Sequence, residues 1–277
     1  MEIDWQNLIN LIQMPFMQRA ILGGLLLGTL GGLVGSFTVL RQLSFFGDAL
    51  GHSALLGTSL GLLFGIGPHL TMVPFLVFLG LCITYLLEKT HLWRDALLNV
   101  VYSSSLALAI IILSFINQYK GGLNQFLFGD VLAIQTDDLY FNLVLLLMCS
   151  TFLGLTLRTQ MLITLNEPLA KVKGVSVSLY RTAFVVFLSL VVAVAIQSVG
   201  VLLVSAFLVM PACTARLLSH RFGQYVMLSI ALGSICATIG VICSAGFDLP
   251  SGPTIVMIQF FVFLGAMLVS NLHLAPG

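Results

Sequence analysis

Residues 36–65 read SFTVLRQLSFFGDALGHSALLGTSLGLLFG. The stretch is almost wholly apolar, small or hydroxylated, and long enough to cross a bilayer as a helix, which takes ~20 residues. Yet Asp48 and His52 sit inside it, four positions apart. On a helix that spacing stacks the two side chains on one face, one turn apart. Ionisable groups at membrane depth are costly to keep and mark a functional site by default. A carboxylate oxygen beside an imidazole nitrogen suits borderline divalent metals such as zinc or manganese. The competing reading is a buried Asp–His pair that only pins two helices together. No Lys or Arg lies within the span 45–66 to support it.

The surrounding chain fits a membrane setting. Of its 277 residues, 59% are hydrophobic and only 8% charged, with a mean hydropathy of +1.10; soluble domains carry roughly 25% charged residues. This predicts an all-α polytopic membrane protein. A formal net charge of +1 leaves no basic surface for nucleic acid. Cys82, Cys149, Cys213, Cys236 and Cys243 all fall in apolar runs without CxxC spacing, and read as small buried hydrophobes. No cleavable leader is expected, because Glu2 and Asp4 stand where a basic region would be.

Nine apolar segments are expected, at 20–40, 45–66, 70–87, 96–116, 138–157, 182–197, 199–218, 225–246 and 253–271. Only Gln197–Gly200 separates the sixth from the seventh, so one of them reads alternatively as a half-crossing, which gives eight spans. Positive charge sets the orientation. With the C-terminus and the loop 158–181 inside, Arg41, Lys89, Arg94, Arg158, Lys171, Lys173, Arg181, Arg216 and Arg221 are cytoplasmic, and only Arg19 and Lys120 lie outside. Segment one carries Gly24, Gly28, Gly31, Gly32 and Gly35 at small-xxx-small spacing, which marks a tightly packed central helix.

The loops carry further candidates. His69 and His91 read as solvated loop residues, and the EKTHLWRD loop as a solvated turn of mixed charge. Around 120–138 an outer segment includes Phe126–Phe128, read as interfacial or re-entrant, and Asp130, Asp137 and Asp138. In the inner loop, LNEPLAKVKG reads as a short helix with Asn166 as N-cap, Glu167 and Pro168 in the first turn, and Gly174 as terminator. A cytoplasmic helix between spans is a docking knob for another protein, or else a membrane-surface helix. Pro211 is expected to kink the seventh span. The glycines and prolines of FDLPSGP dictate a reversal before the last span. No GxxxxGK[ST] loop exists, so the chain is not expected to hydrolyse ATP itself. No catalytic triad can be assembled from its spacings.

RQLSFFGDALGHSALLG, FLFGDVLAI, LNEPLAKVKGV, VGVLLVSAFLVMPACTAR and FDLPSGP resemble, in that order and from about residue 19 to 271, the permease subunits of zinc and manganese ABC importers. The SFFGD, FLFGD and FDLPSGP blocks are most similar to the zinc uptake branch. The manganese and iron branch shares the Asp-x-x-x-His helix.

The resemblance implies one permease domain over 1–277, dimerising with a second copy around a central pathway in the cell's inner or plasma membrane. It implies two cytoplasmic ATPase partners and an extracytoplasmic metal-binding protein. It also implies transported Zn2+, with Mn2+ as the alternative, and no resident cofactor. Asp48 and His52 match the helix on which the family is thought to hold the ion in transit. Asn166, Glu167, Pro168, Ala170 and Gly174 match the element that couples to the ATPase. Asn166 replaces the family's usual Asp there, which leaves the cap intact and removes a charge. Asp130 and Asp248 are candidates for the outer entrance. The rival from another class is a gradient-driven transporter using Asp48 and His52 as a proton relay, and a third is a scaffold without transport.

Overall fold

The computed structural model describes residues 11, 13–90, 93–116 and 129–274, the side chains of His69 and of 271–274 excepted. The Phe126–Phe128 segment, Lys120, His91, Glu2 and Asp4 lie outside the described residues, as does the His69 side chain.

Among the described residues nine long helices cross the molecule: α1 (Pro15–Leu40), α2 (Ser44–Leu63), α3 (Pro68–Lys89), α4 (Arg94–Phe115), α5 (Thr136–Leu155), α8 (Val177–Val199), α9 (Val201–Leu218), α10 (Phe222–Phe247) and α11 (Ser251–Leu274). Two short helices, α6 (Leu157–Leu165) and α7 (Glu167–Val172), stand between α5 and α8. Eight of the nine are apolar enough to span a membrane by hydropathy alone. The exception is α2, whose Asp48, His52, serines and glycines dilute its apolar character.

The sixth and seventh expected segments are both full helices, of 23 and 18 residues, joined only by Gly200 at φ +80°. The half-crossing alternative therefore does not hold. Spans also start earlier than hydropathy suggests. Val177–Arg181, read as loop, is the first turn of α8, because a helix continues past the hydrocarbon into water where polar residues are free to join it. For the same reason the inner loop contains α6, which an apolarity search passes over.

α1 is the central element, as its glycines predict. Its best span window is 67% buried, against 22% for α4, α5 and α11. A Cβ at Gly28 would strike the backbone of Gly233, and one at Gly32 the backbone of Ser229 and Ile230. The resulting backbone contact brings polar groups into reach. The Ser229 hydroxyl donates to the Gly32 carbonyl at 2.7 Å, and the Tyr225 hydroxyl to the Ser36 carbonyl at 2.9 Å. On its other side, Gly31 and Gly35 admit Phe207 and Leu208 of α9. At the inner end Phe37 packs between Phe184 of α8 and Phe222 of α10, ring centroids 6.4 and 5.6 Å away.

Helix α9 carries through Pro211, and α3 through Pro74. At the outer reversal the left-handed position belongs to Asp248 (φ +54°), not to a glycine. A short polar side chain tolerates that conformation. Gly252 and Pro253 instead start α11.

Candidate metal pathway and docking element

Helix α2 is packed on three sides. Gly47 and Gly51 meet Leu208 and Val201 of α9, and Gly57 meets Phe75 and Met72 of α3. Phe45 and His52 both lean on Tyr102 of α4, at centroid distances of 6.3 and 4.8 Å. The side left open is the one that carries Asp48. The Asp48 and His52 side chains keep 32% and 23% of their accessible surface, so neither is sealed in the core.

The two side chains meet as the spacing predicts. His52 Nδ1 lies 3.1 Å from the Asp48 backbone carbonyl and 3.5 Å from Asp48 Oδ1. The Tyr102 ring, edge-on at 84°, restricts rotation of the imidazole. When Nδ1 carries the proton it donates to that carbonyl, and the lone pair of Nε2 is free for a cation. One chain thus offers one oxygen-bearing and one nitrogen ligand. Among the described residues no group of three or more His, Cys, Asp or Glu comes together, so the described part of one chain holds no closed cage. First-row ions take four or more ligands.

Asp48 opens onto a groove of about 1510 Å³ that runs to the inner face. The side formed by α2, the turn before it and α4 carries Gln42, Ser44, Asp48, Arg94, Asp95 and Asn99 beside the rings of Phe45 and Trp93. The facing wall is mostly apolar, with Leu202, Ala206, Val209 and Met210 of α9 and Val256 of α11. Asp95 escaped the sequence reading because the EKTHLWRD loop looks merely solvated, and Asn99 because it falls within the apolar segment 96–116. Their i, i+4 spacing, the same as that of Asp48 and His52, was the available signal.

The candidate docking element takes the helical form its sequence predicts. Asn166 Oδ1 accepts the Leu169 N–H at 3.0 Å, Pro168 occupies the first turn, and Gly174 ends the helix at φ +75°. Ala170 is fully buried against Ile163 and Val177. Leu165, Leu169 and Val172 are left exposed. Charge fixes the helix to the bundle. Glu167 accepts from Arg181 Nη2 at 2.6 Å and pairs with Lys171 at 2.9 Å, while Arg181 Nη1 reaches Glu88 of α3 at 3.2 Å. The hydrogen bond from Lys171, and then the charges of Arg181 and Lys171, hold the Glu167 carboxyl below its ordinary range despite partial burial.

Beside it, Arg41 donates to Thr164 Oγ1 at 3.1 Å and to Gln160 Oε1, and lies 4.4 Å over the Phe184 ring. Burial, and next the charge of Arg181, pull its pKa down to about 10. Arg94 donates to the Arg41 carbonyl at 2.9 Å. The inner-face residues Arg41, Glu88, Arg94, Glu167 and Arg181 therefore share one end of the molecule, in line with the charge-based orientation.

At the other end Asp130 is already engaged. Its Oδ1 accepts from Leu132 N and from Ser251 Oγ, both at 3.0 Å, and Ser251 Oγ in turn accepts the Val131 N–H. This clasp ties the turn at Val131–Ala133 to the start of α11. Asp138 Oδ2 caps α5 by accepting from Gln135 N, while Asp248 is exposed.

The chain matches the model of the ABC 3 transport family over residues 13–270. It is 30% identical to the manganese transport system membrane protein MntC of Listeria innocua, covering 94% of this chain and 92% of that one. It is 32% identical to the manganese import system permease protein ScaB of Streptococcus gordonii, over 92% and 91%. With the high-affinity zinc uptake system membrane protein ZnuB of Haemophilus influenzae it shares 30% identity, over 88% and 94%. Among solved structures, PsaBC from Streptococcus pneumoniae in complex with Fab superposes with a TM-score of 0.83 at 28% identity, covering 94% of each chain. A structure described as an inward-facing metal-chelate type ABC transporter shares the fold, with a TM-score of 0.72 at 19% identity over 91% and 85%.

Proposed function

This chain belongs to the ABC 3 transport family and is the multi-pass membrane permease of a metal ABC importer, and from that premise we propose a route for its cargo. A divalent first-row ion arrives from an extracytoplasmic binding protein near the Asp130 and Asp248 face. It is held in transit by Asp48 and His52, and leaves by the groove to the inner face. Two copies of the chain face each other, so that two carboxylates and two imidazoles supply the four ligands that one copy lacks. The ATPase partners seat on the element formed by Asn166, Glu167, Pro168, Ala170 and Gly174, and hydrolyse the ATP that alternates outward and inward openings. A ligand set this sparse suits a site that must release its ion.

The observation that carries this reading is the pairing itself: an acid and an imidazole 3.5 Å apart, each largely but not wholly buried, with the acid lining a groove. Imidazole ligation and the ZnuB relatives support Zn2+. The MntC and ScaB relatives, and the oxygen-bearing wall of the groove, support Mn2+. Family membership counts against a gradient-driven carrier.

The test is radiometal uptake in proteoliposomes by the permease with its ATPase, with Zn2+ and Mn2+ compared side by side. Asp48→Ala and His52→Ala are expected to stop uptake while the complex with the ATPase still assembles. Wild-type uptake by either variant would sink the assignment.

A further inference from the structure

The groove below Asp48 contains polar groups that the transit pair does not use. Helices α2 and α4 run in the same direction, from inside to outside, and two contacts fix their register. At the base Arg94 donates to the Arg41 carbonyl at 2.9 Å. Higher up, Tyr102 packs against both Phe45 and His52. Between these points Asn99 lies just below the level of Asp48. Asp95 lies at the level of Gln42, about 9 Å nearer the inner face at 1.5 Å per residue. All three line the same groove as Asp48 and are exposed to it.

Gln42 holds a left-handed backbone (φ +56°), unusual for a non-glycine residue. Its N–H is satisfied by the Val39 carbonyl at 3.1 Å, and its side chain reaches the groove. Three oxygen-bearing side chains, one of them charged, therefore line the inner part of the groove. Oxygen ligands without nitrogen or sulfur suit hard divalent ions. Arg94 and Arg216 also line the mouth. Their positive charges weaken any cation's hold there, as a release point requires.

We propose that Asp95, Asn99 and Gln42 form a second, weaker station for the divalent cation, which takes the ion from Asp48 and His52 and passes it to the cytoplasm. The inference rests on the groove being the exit route of the proposed function. It adds a site at which the ion pauses outside the transit pair. Transfer over about 9 Å in one step is replaced by a descent past Asn99.

The test uses the whole transporter, permease with ATPase, and Mn2+ as the probe. Binding is read by electron paramagnetic resonance in detergent and uptake in proteoliposomes. Wild type is expected to show a tighter and a weaker class of bound Mn2+. Asp95→Asn combined with Asn99→Leu is expected to weaken the second class at least about tenfold, the effect of losing a charged ligand, and to slow uptake while sparing the first class. Asn99→Asp, which keeps the size of the side chain, is expected to tighten the second class and slow turnover by retaining the ion. If both variants bind and transport as wild type, while Asp48→Ala still abolishes the tighter class and uptake, the station does not exist and the transit pair stands. If Asp48→Ala changes neither binding nor uptake, it is the transit reading that falls.

Discussion

Replacing Arg181 by Gln should loosen the docking helix α7 without touching the face it presents. The guanidinium makes two contacts, to Glu167 at 2.6 Å and to Glu88 at 3.2 Å. A hydrogen bond to a charged group contributes about 1.5–3 kcal/mol when well shielded. The side chains of Arg181, Glu167 and Glu88 retain 29%, 33% and 37% of their accessible surface, so solvent screens both pairs. About 1 kcal/mol each is the appropriate magnitude. The loss of about 2 kcal/mol shifts the seated-to-loose ratio of α7 roughly thirtyfold. Glutamine keeps the stem and part of the hydrogen bonding, so Ala170 still packs against Ile163 and Val177 whenever the helix is seated. Hydrogen–deuterium exchange reads this directly. Amides of residues 167–175 should exchange roughly thirtyfold faster in Arg181→Gln, while those of the α1 and α10 contact stay unchanged. A double-mutant cycle with Glu167→Gln should return about 1 kcal/mol of coupling. Unchanged exchange across 167–175 would refute the reasoning, because it would mean that apolar packing alone seats α7.

Two further outcomes follow from the same structure. Gly32→Val should destabilise the bundle by about 3 kcal/mol, since the new Cβ meets the backbone of Ser229 and Ile230 rather than a side chain that can yield. Gly154→Ala, which meets nothing within 4 Å, should be neutral. The five free cysteines make a thiol-reactive dye a direct thermal readout of both. The depressed Glu167 carboxyl contributes to the seating of α7 in full above its ordinary value of 4.5, and that contribution is lost as pH falls below 4.5 through the folded value. Exchange of α7 corrected for intrinsic rate should therefore rise on acidification below that point, and Glu167→Gln should remove the dependence.

Much of this was legible in the chain because the bilayer enforces strong patterns. The small-xxx-small run of α1 pointed to its central place, and the docking helix was legible down to its Asn166 cap and Gly174 terminator. Each rests on local chemistry that few alternatives satisfy. What was missed depended on neighbours distant in sequence. Arg41, Glu88 and Arg181 read only as charges at the ends of spans, yet they tie α1, α3, α6, α7 and α8 together. Asp95 read as part of a wet turn and Asn99 as one residue of an apolar span, until the register of α4 against α2 placed them beneath Asp48. Helix α6 was invisible to an apolarity search, being at once too polar for a span and too apolar for a loop.

The joint at Gly200 has a mechanical consequence. Helix α8 leaves the docking knot at Arg181, and only one residue later than its end α9 begins to form the wall opposite Asp48. Consecutive Cα atoms lie 3.8 Å apart whatever the torsions between them. A tether of one residue has no slack to take up, so any sideways travel of the top of α8 must be answered at once by the top of α9. Glycine leaves the angle between the two rods adjustable while their separation stays fixed: it works as a universal joint, through which a shift of α8 reaches the groove as a tilt of α9.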